Sequence, residues 1–143
     1  MTTKALITAA IVGSGMIAAA GLASAQGVDI GKREYDNNCA VCHGVNGKGD
    51  GPLAGFLNQR VADLTMLQKD NNGVFPFAQV YDVIDGQQIY KAHGTRDMPV
   101  WGDEYMKKAP EWVGPEGTRA EYASFVRARI LALIGYISTF QAK

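Results

Sequence analysis

The chain of 143 residues is poor in the side chains that carry most site chemistry, with only two cysteines and two histidines. It also has no surplus of charge, because 14 Lys and Arg residues balance 14 Asp and Glu residues. Without a basic surplus or a run of like charges, nothing in the composition indicates a nucleic-acid partner. The length leaves room for one domain at most.

The amino terminus has no charged side chain between Lys4 and Asp29. The Ala-, Ile- and Gly-rich stretch after Lys4 ends in A-S-A at Ala25, which provides the small residues that a signal peptidase requires. We therefore predict a signal peptide over residues 1–25 and a mature chain over residues 26–143. The alternative is an uncleaved membrane anchor, because the apolar run is nearly long enough to span a bilayer.

The hydrophobic pattern of the mature chain predicts an all-α fold with long loops. The clearest helix is expected over residues 121–140, where apolar residues recur at helical steps of four and three: Val126, Ile130, Leu133, Ile137 and Phe140. Gly135 lies in the middle of this stretch and costs about 1 kcal/mol relative to alanine. We therefore expect another backbone to approach closely at Gly135.

Three further helices and two loops are predicted from the same reasoning. The helices are expected over residues 27–42, 62–73 and 75–86, the last closed by Gly86. The glycine-dense residues 44–55 and the aperiodic residues 87–102 are expected to be loops, and several glycines of the first loop are expected to adopt positive φ. Residues 102–120 carry no predicted element before the last helix.

Both cysteines and one histidine fall within five positions, in the sequence C-A-V-C-H from Cys39 to His43. A thioredoxin-like redox pair would need a βαβ setting, which the pattern lacks. A zinc site would need two further ligands, and His93 is the one remaining nitrogen donor. C-x-x-C-H is the signature of covalent haem attachment, with Cys39 and Cys42 forming thioethers and His43 lying under the iron. The motif therefore favours haem.

A second iron ligand is expected after the motif, from Met66, Met98, Met106 or His93. We favour Met98, because Pro99 biases it toward an extended backbone and stiffens the segment that would present the sulfur. His93 is the second candidate. Ligation by histidine and methionine raises the reduction potential of a haem iron.

With these residues, the chain resembles the small class I c-type cytochromes of bacterial periplasms over residues 27–143. The C-A-V-C-H motif and the later M-P-V-W-G segment carry the resemblance. It implies the class I cytochrome c fold, in which the N- and C-terminal helices cross around one covalently attached haem c. On this comparison Gly31 and Tyr35 match the contact pair of the first helix, and Leu133 and Tyr136 match that of the last.

The resemblance also implies further haem-binding residues. Pro52 matches the family's proline after the motif, and a carbonyl of its loop is expected to accept the His43 Nδ1 proton. Arg60 and Trp101 are expected to donate hydrogen bonds to the haem propionates. Val61 departs from the family, whose members often carry proline at this position.

The function that the resemblance implies is electron transfer in the periplasm, without enzymatic activity. The expected partners are transient redox proteins: a dehydrogenase, a respiratory complex or a terminal oxidase. One alternative is a subunit dedicated to one dehydrogenase, such as a sulfite-oxidising molybdoenzyme. Another is a haem peroxidase or sensor in which Met98 leaves the iron. No membrane span is expected after signal cleavage.

Overall fold

The computed structural model describes residues 29–86 and 98–143. The predicted signal peptide over residues 1–25, its cleavage site and the candidate ligand His93 lie outside the described residues. The described residues form helices, turns and loops and contain no strand, which confirms the all-α prediction. None of the helices in these two ranges is both long and apolar enough to cross a bilayer.

The described part of the chain contains six α-helices in sequence. They are α1 (29–38), α2 (Ala40–His43), α3 (Leu67–Asp70), α4 (Phe77–Asp85), α5 (Trp101–Val113) and α6 (Arg119–Ser138). Two single turns of 3-10 helix, Ala54–Phe56 and Leu64–Met66, lie in the long connection between α2 and α3. The first of these turns overlaps the end of the predicted glycine loop, so that loop is less irregular than the sequence indicated.

The helix ends largely follow the sequence signals. Gly86 closes α4 with φ 97° in the left-handed region, and Gly44 ends α2 with φ 79°. α6 begins earlier than predicted, because the Thr118 hydroxyl accepts a hydrogen bond from the Glu121 amide in a capping box. The predicted first helix is wrong in one respect: it is interrupted by a turn at Cys39, which separates α1 from α2.

The crossing of α1 and α6 forms the centre of the fold. A Cβ atom on Gly31 would overlap the carbonyl of Ala132 and lie 2.9 Å from the Cβ of Tyr136. Tyr35, one turn later, is fully buried, and its ring centroid lies 5.4 Å from that of Tyr136. The helix contact implied by the resemblance is therefore confirmed.

The role expected for Gly135 is wrong. Outside the helix's own backbone, no heavy atom of the described residues lies within 4 Å of the position that a Cβ atom on Gly135 would occupy, so no other described backbone approaches there. The close contact instead falls on Ala132 and Tyr136, which share a face because they are four residues apart in α6. The glycine that permits the crossing is Gly31, on the partner helix.

The helix α5 was missed from the sequence, and it begins at Trp101, within the residues 87–102 that were predicted as a loop. Residues 87–97 of that predicted loop lie outside the described ranges. Two features hid it. Its buried face consists of Gly102, Tyr105 and Ala109, which give a weak apolar stripe, and Pro110 lies inside it. α5 packs against α6 and α4, so part of residues 102–120, for which no element was predicted, belongs to the core.

The core is one cluster drawn from α1, α2, α4, α5 and α6. The predicted stripe of α6 faces it: Val126, Ile130, Leu133 and Ile137 are buried, and Phe140 is half-buried. Ile134, which the predicted stripe omitted, is fully buried as well. Cys39 and Ala40 belong to the same cluster, so the C-x-x-C-H turn is attached directly to the core.

Candidate functional site

Cys39, Cys42 and His43 occupy a single turn at the junction of α1 and α2. The amide of Cys42 donates to the Cys39 carbonyl at 3.1 Å, and the amide of His43 donates to the same carbonyl at 2.8 Å. Cys39 is 8% exposed, Cys42 is half-buried, and no disulfide joins them. The turn thus gathers two thiols and one imidazole on a short rigid segment.

The environment of Cys39 is opposite to that of a reactive redox thiol. Burial raises the pKa of Cys39 to about 12, and the negative charges of Glu34 and Cys42 act in the same direction. Redox-active cysteines instead have a lowered pKa, because the thiolate is the attacking species. The site therefore does not support a thioredoxin-like function for the pair.

The ring of His43 is held by a backbone carbonyl. Its Nδ1 atom lies 3.0 Å from the carbonyl oxygen of Ala62. Because a carbonyl can only accept, Nδ1 carries the proton and Nε2 keeps its lone pair. Burial lowers the pKa of His43 and outweighs the opposing effect of the Ala62 hydrogen bond, which favours the neutral ring that binds metals.

The acceptor for His43 differs from the expected one. The resemblance implied a carbonyl of the loop that contains Pro52, whereas the structure uses Ala62, ten residues later. The loop of Pro52 serves the turn differently: the Gly51 amide donates to the Cys42 carbonyl at 3.0 Å. A Cβ atom on Gly51 would lie 2.6 Å from the carbonyl oxygen of Ala40, so glycine is needed for this close approach.

Ala62 reaches His43 because the glycine loop packs between them. The amide of Gly49 donates to the His43 carbonyl at 2.8 Å, and Gly49 adopts φ 75°. A Cβ atom on Gly49 would lie 2.5 Å from the carbonyl oxygen of Val61 and 3.2 Å from that of Ala62. Gly49 therefore contacts both the backbone of His43 and the segment that binds its ring.

The segment after Ala62 is fixed by its own cap and by the C-terminal tail. The Asp63 carboxylate accepts from the Thr65 amide at 2.9 Å, which starts the 3-10 turn. Gln141 donates from Nε2 to the Leu64 carbonyl at 2.8 Å, and the Ala142 amide donates to the Thr65 carbonyl at 2.7 Å. These bonds fasten the acceptor segment of His43 to the end of α6.

Met98 and Trp101 lie where α4 and α5 meet. Both are half-buried and pack against the buried cluster that includes Cys39. A Cβ atom on Gly102 would lie 2.6 Å from the Asp85 carbonyl oxygen, so the start of α5 lies directly on the end of α4. The Trp101 ring centroid is 6.1 Å from that of Tyr105. The contact between α4 and α5 therefore fixes the backbone of the segment that carries Met98.

The two remaining predicted residues lie at the surface. Pro52 and Arg60 are both exposed. Pro52 directly follows Gly51, whose amide binds the C-x-x-C-H turn, and Arg60 precedes the His43 acceptor by two residues. Both are therefore adjacent in sequence to backbone groups of the site.

Sequence reasoning missed a polar network beside the turn. Glu34 Oε1 lies 2.8 Å from Arg129 Nη1, and Glu34 Oε2 accepts from the Tyr105 hydroxyl and from Asn38 Nδ2, each at 3.0 Å. The Arg129 guanidinium also lies 4.8 Å from the centroid of the Trp112 ring. This network joins α1, α5 and α6. No local signal could reveal its contacts between helices, because Glu34 lies 71 positions from Tyr105 and 95 positions from Arg129.

The described side chains fit covalent attachment of haem c. Cys39 and Cys42 lie one helical turn apart, and the Nδ1–H of His43 is bound to protein while Nε2 is left to coordinate a metal. This donor set, two thiols with one oriented imidazole, is the one that a c-type haem uses.

Comparison with known protein families gives a match. A family model described as Cytochrome c matches residues 28–104, which is more than half of the chain and includes the C-x-x-C-H turn and Met98. A search of curated proteins found no match, and neither did a search of solved structures. With its helical fold, the chain belongs to the cytochrome c family and is a c-type cytochrome.

Proposed function

We propose that this electron-transfer haem protein is a one-electron carrier that holds one haem c between His43 and Met98. The observation that carries the proposal is the bond from His43 Nδ1 to the Ala62 carbonyl, which leaves Nε2 oriented for a metal. When bound, the haem supplies an iron that exchanges one electron between its ferrous and ferric states.

The C-x-x-C-H turn anchors the group. Cys39 and Cys42 each provide a sulfur for one thioether. The turn is rigid because the amides of Cys42 and His43 both donate hydrogen bonds to the Cys39 carbonyl. Attachment to the core through Cys39 and Ala40 limits the movement of the turn. A turn that moves little keeps the reorganisation between the two oxidation states small.

Met98 is the second residue that would hold the haem iron. Three observations support this role. Met98 is half-buried and packs against the core cluster, and the contact between α4 and α5 fixes the segment that carries it. The following residue, Pro99, stiffens the same segment. Two protein ligands leave no open coordination position, so the site favours electron transfer over substrate chemistry. Ligation by a thioether favours a raised potential.

Three further residues have proposed roles at the edge of the haem. Arg60 and Trp101 donate to the propionates, one as a charged group and one through the indole N–H. Pro52 stiffens the loop whose preceding residue, Gly51, binds the Cys42 carbonyl. Support for these roles comes from the position of each residue next to the C-x-x-C-H turn, the His43 acceptor or Met98.

The cellular role follows from the amino-terminal pattern. We propose that residues 1–25 are a cleaved signal peptide and that residues 26–143 act in the bacterial periplasm. There the protein would accept electrons from a dehydrogenase or a respiratory complex and pass them to an acceptor such as a terminal oxidase. Such encounters are transient and bury little surface.

The test is the absorption spectrum of the oxidised, haem-loaded protein. We expect the weak far-red band that reports an iron–sulfur bond to methionine, and no spectral change when cyanide is added at modest concentration. A missing band together with ready cyanide binding would contradict the carrier and indicate an open iron, as in a peroxidase or sensor.

A further inference from the structure

Tyr35 stands out as a buried polar group that the proposed function does not use. It is fully buried, and its hydroxyl donates to the Gly44 carbonyl at 2.6 Å. Gly44 directly follows His43. We infer that Tyr35 is a positioning residue, which through Gly44 holds the glycine loop and so keeps the Ala62 carbonyl on the His43 ring. The inference depends on the proposed function, because it requires His43 to bind the iron.

The hydroxyl bond fixes the first residue of the glycine loop. Gly44 adopts φ 79°, and a Cβ atom there would overlap the Asp50 carboxylate, so the chain turns sharply at this point. Burial raises the pKa of Tyr35 well above the ordinary value of tyrosine, so its hydroxyl is a permanent donor. Without it, the Gly44 carbonyl would lose one of its two hydrogen bonds and keep the one from the Gly47 amide, so the loop would be held less firmly at this point.

From Gly44 the contacts run without interruption to the acceptor of His43. The Gly47 amide donates to the Gly44 carbonyl at 3.1 Å, and the Leu64 amide donates to the Gly47 carbonyl at 2.6 Å. Gly49 binds the His43 carbonyl and lies against the backbone of Ala62. The loop thus ties the main chain of His43 to the residue that accepts from its ring.

The chemical consequence concerns donation from the imidazole to the iron. A hydrogen bond from Nδ1–H to a carbonyl makes Nε2 a stronger donor, which stabilises the ferric state and lowers the potential. If the Tyr35 hydroxyl is lost, the loop loosens and the Ala62 bond weakens. The ferric state then loses stabilisation, so the reduction potential rises.

The chain offers a matched control in Tyr136. Its ring lies 5.4 Å from that of Tyr35 and 5.4 Å from that of Phe140, in the same aromatic cluster. Within the described ranges, however, the Tyr136 hydroxyl has no hydrogen-bond partner. Tyr35→Phe and Tyr136→Phe therefore remove the same atom from the same cluster, and only the first removes a bond to the loop.

The experiment compares both variants with the wild type as haem-loaded proteins. Three quantities are measured: the midpoint potential, the solvent exchange of the His43 Nδ1 proton in the reduced state by NMR, and the free energy of unfolding. For Tyr35→Phe we expect a higher potential and exchange about tenfold faster, through easier local opening of the loop. Tyr136→Phe should have the midpoint potential and the exchange rate of the wild type.

The inference is overturned if Tyr35→Phe has the potential and exchange rate of Tyr136→Phe, even when it is less stable. If Tyr35→Phe does not fold, hydrogen exchange in the wild type tests the inference instead. The His43 Nδ1 proton and the Gly49 amide proton must then exchange through the same local opening, so their exchange rates must depend on denaturant in the same way. Independent opening of the two would reject the inference. A wild type without haem would instead refute the proposed function itself.

Discussion

Gly31 of α1 lies directly against the main-chain carbonyl of Ala132 in α6, with no side chain between the two backbones. This contact brings Tyr35 onto Tyr136 and thereby places the C-x-x-C-H turn, which follows α1, against the core. The helix crossing and the C-x-x-C-H turn are thus parts of one arrangement. Changes at the crossing should affect the stability of the whole fold.

Gly31→Ala should destabilise the protein by about 3 kcal/mol, because the added methyl group meets backbone that cannot rotate away. The free energy of unfolding of the haem-loaded protein in urea measures this. The control is Gly135→Ala in α6, where a Cβ atom meets none of the described residues within 4 Å. That variant should be more stable by ~0.5–1 kcal/mol, the helix cost of glycine. Equal effects of the two changes would contradict the crossing.

Arg129→Ala should cost about 2 kcal/mol of stability. The Glu34 and Arg129 side chains are 16% and 18% exposed, so removal of the cation leaves a mostly buried carboxylate without its charged partner. The variant also loses the contact of the guanidinium with Trp112. Denaturant unfolding gives the value.

A surface ion pair provides the comparison for Arg129→Ala. Lys32 and Asp36 form a pair at 2.6 Å with side chains 56% and 43% exposed. Lys32→Ala should leave stability within error, because exposed pairs contribute little. A loss as large as that of Arg129→Ala would mean that burial does not explain the strength of the network.

Asp63→Asn should change how stability depends on acid. Hydrogen bonds from Thr65 lower the pKa of Asp63 in the folded protein. The ionised carboxylate therefore stabilises the fold at pH values above the ordinary aspartate pKa of about 3.9. This stabilisation is lost as the pH falls through the lower pKa of the folded state. The wild type should therefore lose slightly more stability than Asp63→Asn on acidification. If the free energy of unfolding falls in parallel for the two proteins from pH 7 downward, the stabilising role of the Asp63 cap is contradicted.

Met98→Ala should keep the haem attached but lower the reduction potential and admit cyanide to the iron, because the proposed thioether ligand is lost. The matched control is Met106→Ala, since Met106 is 38% exposed on α5 and should leave spectrum and potential unchanged. Potentiometry and cyanide titration measure both variants. If Met98→Ala retains the wild-type far-red band, Met98 is not the ligand.

Much of the fold could be predicted where the signal is local. The periodic stripe of α6 and the five-residue C-x-x-C-H motif each depend on neighbours in sequence, and the structure agrees with the buried stripe. α5 was missed because a proline and small buried residues mask its pattern. The sequence predicts the close approach at Gly135, because a glycine inside a helix indicates a nearby backbone. It gives no information about which residue of that helix faces the other helix.

Long-range partners could not be predicted from the sequence. Glu34 and Arg129 are 95 positions apart, and only the packing of α1 on α6 brings them together. The carbonyl that binds His43 follows from the path of the glycine loop, and any backbone carbonyl is chemically equivalent before the chain is folded. Residue identity therefore predicts which side chains do chemistry, whereas the fold decides which backbone groups orient them.

The most direct test is mass spectrometry of the secreted, purified protein from a host that can form haem thioethers. We predict a mature chain of residues 26–143 carrying the mass of one haem, located on the peptide that contains Cys39 and Cys42. Cys39→Ala and Cys42→Ala should both impair this maturation. A colourless wild-type protein with both thiols unmodified would contradict the assignment of the C-x-x-C-H turn as a haem site.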